Sequence, residues 1–195
     1  SDPTGLLRGA AAVPLALAGS RAAGPREAAP DGNVLLCSGW ATKNIGDIGH
    51  NLLAPEVEKE IESARNLLYE RLPDDVRSHV VQRDTFWNVD EAASIYARAH
   101  TVVALEPHSC IIALAAGTPA VHFFDEGHGR KAWMFRDIGL PEWLVSIDRD
   151  NAAQVSATLA SIHDDYPRAE EKVRRAMAFV DRRSSEMMAT LRALL

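Results

Sequence analysis

The 195-residue chain predicts an α/β fold: a parallel sheet with flanking helices, finished by a C-terminal amphipathic helix. Three observations carry that expectation. Short apolar and β-branched runs alternate with stretches of helical spacing through the middle of the chain, as βαβ units require. The joints have the right grammar, because Ala116-Gly117-Thr118-Pro119 ends a helix on glycine and re-enters a strand through proline. Composition agrees, with 47% hydrophobic and 25% charged residues, close to the averages for a globular chain.

The elements follow in order. Val34–Cys37 is a short apolar run that ends at Ser38-Gly39 and reads as a buried strand. Ala54 to Leu72 reads as a helix, with Pro55 in the first turn, glutamates crowding its start, and Val57, Ile61, Ala64, Leu67 and Leu68 at helical spacing. Pro73-Asp74-Asp75 breaks it. His79–Val81 is a candidate strand, Asp90–Ala99 a helix, Thr101–Leu105 a strand, Ser109–Ala116 a helix and Pro119–Phe124 a strand. Trp143–Ile147 supplies a last short strand. Ala152–His163 and Pro167–Leu195 close the chain as helices, the second with a stripe of Val173, Met177, Val180, Met187, Leu191 and Leu194.

Residues 1–31 differ from the rest. Arg8, the apolar run Ala10–Ala18 and small residues in A-x-A order have the layout of a secretory signal, and an Ala/Pro-rich linker explains them equally. They stand apart from the folded domain, which the sequence places at 32–195.

Charge and cysteine content exclude several classes. With 21 basic and 27 acidic residues the net charge is −6, which argues against nucleic acid or an anionic membrane as the general partner. Two cysteines rule out a small disulfide scaffold. No run of about eighteen apolar residues marks a transmembrane helix. Neither G-x-G-x-x-G nor a P-loop is present, and the seven histidines form no zinc-type spacing.

Ligands of parallel sheets bind beyond the carboxyl ends of the strands. The segment Thr101–Gly117 is therefore the most informative, with Glu106, His108 and Ser109 where a strand gives way to a helix. A helix N-terminus offers free N–H groups to a phosphate or carboxylate, and His108 can act there as acid or base. The plainer reading makes Ser109 a cap and His108 a loop residue. Asp125–Lys131 reads as a glycine-bearing loop after the next strand, bringing Arg130 and Lys131 as an anion clamp or leaving them solvated. Asn44, Gly46 and Asp47 form a turn beyond the first strand, near a substrate hydroxyl or simply as turn residues. Cys110, inside a buried helix, reads as packing. Trp87, Trp133 and Trp143 read as core or rim aromatics.

Taken together, these motifs resemble the polysaccharide pyruvyl transferase family. Ser38–His50 (SGWATKNIGDIGH) is similar to that family's N-terminal strand and N-x-G-D turn, and Ala97–Asp125 to its C-terminal signature. Lys131 and Asp137–Leu140 match the positions that follow, so the donor-side signature spans about 76–150 and a remnant of the N-terminal motif spans 33–50. The resemblance implies a Rossmann-like sheet in a GT-B-like architecture of two facing domains. It implies transfer of the enolpyruvyl unit of phosphoenolpyruvate to saccharide hydroxyls as a ketal, with no cofactor beyond that donor. On it, His108 and Asp47 are catalytic, and Asn44, Gly46, Glu106, Ser109, Arg130 and Lys131 bind substrate. Two departures stand out: Glu106 occupies a position that is usually arginine, and most of an N-terminal domain is missing between Asp47 and the signature. A GT-B glycosyltransferase using a nucleotide sugar, or an inactive binding module, are the competing expectations. Use of phosphoenolpyruvate places the protein in the cytoplasm, whereas the signal-like leader argues for export.

Overall fold

A computed structural model describes residues 34–37, 55–82, 89–150 and 152–194. Strand β1 (Val34–Cys37) precedes helix α1 (Pro55–Leu67), a 3-10 turn (Tyr69–Arg71), the short α2 (Asp74–Arg77) and α3 (Val89–Tyr96). Then come β2 (Thr101–Ala104), α4 (Pro107–Ala115), β3 (Ala120–Phe124), a 3-10 stretch (Glu126–Trp133), α5 (Met134–Asp137) and β4 (Leu144–Ser146). Helices α6 (Ala152–Asp164) and α7 (Tyr166–Ala193) complete it. The mixed α/β fold with flanking helices and a long C-terminal helix is as expected.

The four strands form one sheet in the order β1-β2-β3-β4, and every pair is parallel. Registers are Val34 with Thr101, Val103 with Val121 and Phe124 with Ser146. All four residues of β2 are buried, which explains its unbroken TVVA run: a parallel strand covered on both faces has no solvent side to make polar. The core around it is built from Trp143, Phe135, Leu114, Leu140, Ile162, Val121 and Val173. Each such side chain contributes roughly 1.5–3 kcal/mol on burial.

Two glycines set the angles at which helices hand over to the sheet. Gly117 and Gly139 both adopt φ +83°. After α4, the Gly117 amide donates to Leu114 and the Thr118 amide to Ala113. After α5, Gly139 donates to Arg136 and Leu140 to Phe135. Both are paired-bond helix endings with a left-handed residue just past the last turn, where a side chain would strain the backbone.

One expected strand is absent. His79–Val81 follows α2 as turn and irregular chain, with the Val80 amide bonded back to Arg77 and Val81 exposed. His79 is held in the turn and Val80 and Val81 are irregular, and none of the three pairs with a described strand.

Candidate functional site

Because the strands are parallel, their carboxyl ends share one edge. There β1 ends at Cys37 opposite Ala104, and β3 ends at Phe124 opposite Ser146. Asn44, Gly46 and Asp47, expected just beyond β1, lie outside the described residues, as does Trp87.

Beyond β2 the chain turns into α4 through Glu106, which is the N-cap residue with φ −78° and ψ 122° and makes no side-chain cap bond. Pro107 follows in the first turn, where its missing N–H costs nothing. Helical geometry then leaves the amides of His108 and Ser109 without intrahelical acceptors, and among the described residues no side-chain cap takes them. Ser109 is therefore not the cap. Its hydroxyl accepts a 3.1 Å bond from the Tyr96 hydroxyl, which leaves the serine proton to donate elsewhere. Tyr96 is itself fixed, because its carbonyl accepts a 2.7 Å bond from the Thr118 hydroxyl.

His108 is half-buried, yet its Nδ1 is shielded from solvent and has no hydrogen-bond partner. A buried imidazole nitrogen without a partner is uncommon and asks for an explanation. Here it lies on the first turn of a helix whose free amides and dipole favour an anion.

The other end of the edge is closed by the chain's own carboxylates. Asp148 Oδ2 accepts from the Glu126 amide at 2.8 Å, Asp150 Oδ2 accepts from the Ser146 amide at 2.7 Å, and Arg149 pairs with Glu126 at 2.7 Å. Ser146 Oγ is buried without a partner. The sequence reading missed this β4 turn and Tyr96. Asp148 and Asp150 were visible as a turn signal, but their targets are 22 and four residues away in sequence.

The segment after β3 is not the expected glycine loop. Glu126–Trp133 is 3-10 helical, tethered at its start by Asp148. Arg130 and Lys131 are exposed on it, on the connection leaving the same edge as His108. Among the described residues no ion pair or hydrogen bond holds either cation against the α4 terminus. Of the aromatics, Trp143 is core, whereas Trp133 is nearly half exposed with the Arg136 guanidinium 6.0 Å from its ring. Cys110 is fully buried with Sγ 3.8 Å from the Val121 carbonyl, as packing predicts.

Two clefts lie elsewhere. One, of about 440 Å³, is lined by Ile138, Gly139, Lys172, Arg175, Ala176 and Phe179, and a smaller one by Trp143, Ile162 and Arg168 among others. Neither includes a predicted site residue. Among the described residues no helix is long and apolar enough to cross a membrane. No family model, curated protein or solved structure matches the chain.

Proposed function

We propose that this chain is the donor-side, Rossmann-like part of a GT-B-like pyruvyl transferase, which binds phosphoenolpyruvate at the α4 N-terminus. The observation that carries the reading is His108 Nδ1, buried and unpartnered beside two free helix amides. Phosphoenolpyruvate presents a phosphate and a carboxylate, and amides, the Ser109 hydroxyl and an imidazolium suit either group. Arg130 or Lys131 would bring a further cation from the neighbouring connection.

The chemistry assigned to His108 is proton delivery. Adding a proton to the enol methylene makes it a methyl group and leaves the adjacent carbon electron-poor. One saccharide hydroxyl bonds to that carbon and a second displaces phosphate from it. Of the two hydroxyl protons lost, one balances the proton given to the methylene and the other leaves with phosphate. Asp47 or Glu106 would serve as the base.

Glu106 favours a second reading, that of a silent binding module. A half-buried carboxylate at the helix cap sits where an incoming anion meets like charge. Thermal unfolding with phosphoenolpyruvate, inorganic phosphate and UDP-sugars separates the readings. Phosphoenolpyruvate at about a hundred times its dissociation constant adds about 2.7 kcal/mol, roughly 5–10 °C here. The expected shift is specific to phosphoenolpyruvate and lost in His108→Ala. A shift with UDP-sugars moves the assignment to a nucleotide-sugar transferase, and no shift with any of them leaves the silent module.

A further inference from the structure

Helix α7 faces the turn after α5 across the cleft of about 440 Å³, a volume in the range of small-molecule sites. From α7 it is lined by Lys172, Arg175, Ala176 and Phe179, which fall at i, i+3, i+4 and i+7 and so share one face of the helix. Ala176 is buried at the floor, and Ile138 and Phe179 are half-buried at the sides. Opposite, Gly139 turns the chain at φ +83°, where a Cβ would meet no atom within 4 Å. The recess exists because a glycine and an alanine stand where larger side chains would fill it.

The charges at this cleft do not cancel. Lys172 pairs with Glu142, and Arg175 donates to Glu171 through Nε at 2.6 Å. Glu171 is shared with Arg174, so the three cations of this face outnumber its two carboxylates by one. Arg182 adds a further cation, 5.6 Å over the Phe179 ring, while on the facing wall Arg136 and Asp137 carry opposite charges. The two terminal nitrogens of Arg175 make no bond among the described residues, and its side chain is 76% exposed. They present a planar fork that matches the two oxygens of a carboxylate. Lys172 keeps two N–H donors beyond the one given to Glu142.

We propose that this cleft binds a small amphipathic carboxylate, an aliphatic acid of medium length. Its head group meets the Arg175 fork and the Lys172 ammonium, and its chain lies over Ala176 between Ile138 and Phe179. A bare inorganic anion would leave the apolar walls wet, and a neutral apolar molecule would leave the Arg175 fork without an acceptor. A single negative charge is what the excess on this face of α7 balances. None of the residues assigned to phosphoenolpyruvate lines the cleft, so the proposal is independent of that reading.

Titration of the nitrogen-15-labelled full chain with octanoate, kept below the concentration at which it forms micelles, tests this. The amide signals of Ile138, Gly139 and Ala176 should shift together and saturate, with a dissociation constant below about 1 mM. Arg175→Gln, a change at an exposed side chain, should raise that constant about fivefold. Acetate, which has the head without the body, 1-octanol, which has the body without the charge, and octylammonium, which reverses it, should all bind more weakly than octanoate. Absence of saturable shifts at these three residues up to about 10 mM, octanol binding as tightly as octanoate, or a constant unmoved in Arg175→Gln overturns the proposal. So does a response that begins only at micelle formation, which would make this face a lipid-contacting surface instead.

Discussion

Glu106 brings a carboxylate to the N-terminus of α4. It is the cap residue, half-buried, and its carboxylate takes none of the free amides. An anion bound to the amides of His108 and Ser109 would sit beside that negative charge, which at short range costs about 1 kcal/mol even in a water-like surrounding. Glu106→Gln keeps the shape and removes the charge. Inorganic phosphate should then bind about fivefold more tightly by titration calorimetry, and the gain should shrink as salt is added. Unchanged affinity would place the anion elsewhere. The residues around this point show what sequence can reveal at the smallest scale. His108 was legible because a strand end followed by a helix start is a pattern of adjacent residues. Tyr96 was not, because its hydroxyl reaches Ser109 only after α3 and α4 have packed.

Helices and strands were legible where a local period matched a burial the fold could supply. β2, β3 and α4 are each found within two residues of their expected bounds, since an unbroken apolar run and a glycine-ended helix need no distant partner to be recognised. The His79–Val81 expectation failed because three β-prone residues say nothing of whether a sheet edge awaits them. The 3-10 segment Glu126–Trp133 was hidden for the opposite reason: two glycines suggested a loose loop, but Asp148 pins its first amide from across the edge. In α7 the polar face carries its own pattern. Glu171 pairs with both Arg174 and Arg175, one turn further on. Hydrogen bonds from Arg175 and then Arg174 hold its carboxyl below the ordinary value of 4.5. A depressed acid stabilises the folded helix above its ordinary value, and that contribution disappears as pH falls through the lowered one. The parent chain should therefore lose a little α7 helicity as pH falls below about 4.5, followed by far-ultraviolet circular dichroism, and Glu171→Gln should flatten that loss. The full parent dependence persisting in the variant would assign the loss to other carboxylates.

At the scale of the molecule, the sheet and its helices form a body whose contacts end partway along α7. Ala176 is the last fully buried residue of that helix, Met177 still packs against the core, and Val180 is half-buried. Beyond Val180 every side chain is exposed through Leu194, so those residues add little apolar burial to the fold of a single chain. Removing them by a stop after Val180 should cost the isolated domain no more than about 1 kcal/mol, the range of substitutions outside the core. The thermal midpoints of the full and shortened chains should therefore agree to within a few degrees. A shortened chain that melts far lower at every concentration would make the distal half part of the folding unit instead, held by contacts that its exposure in the single chain does not display.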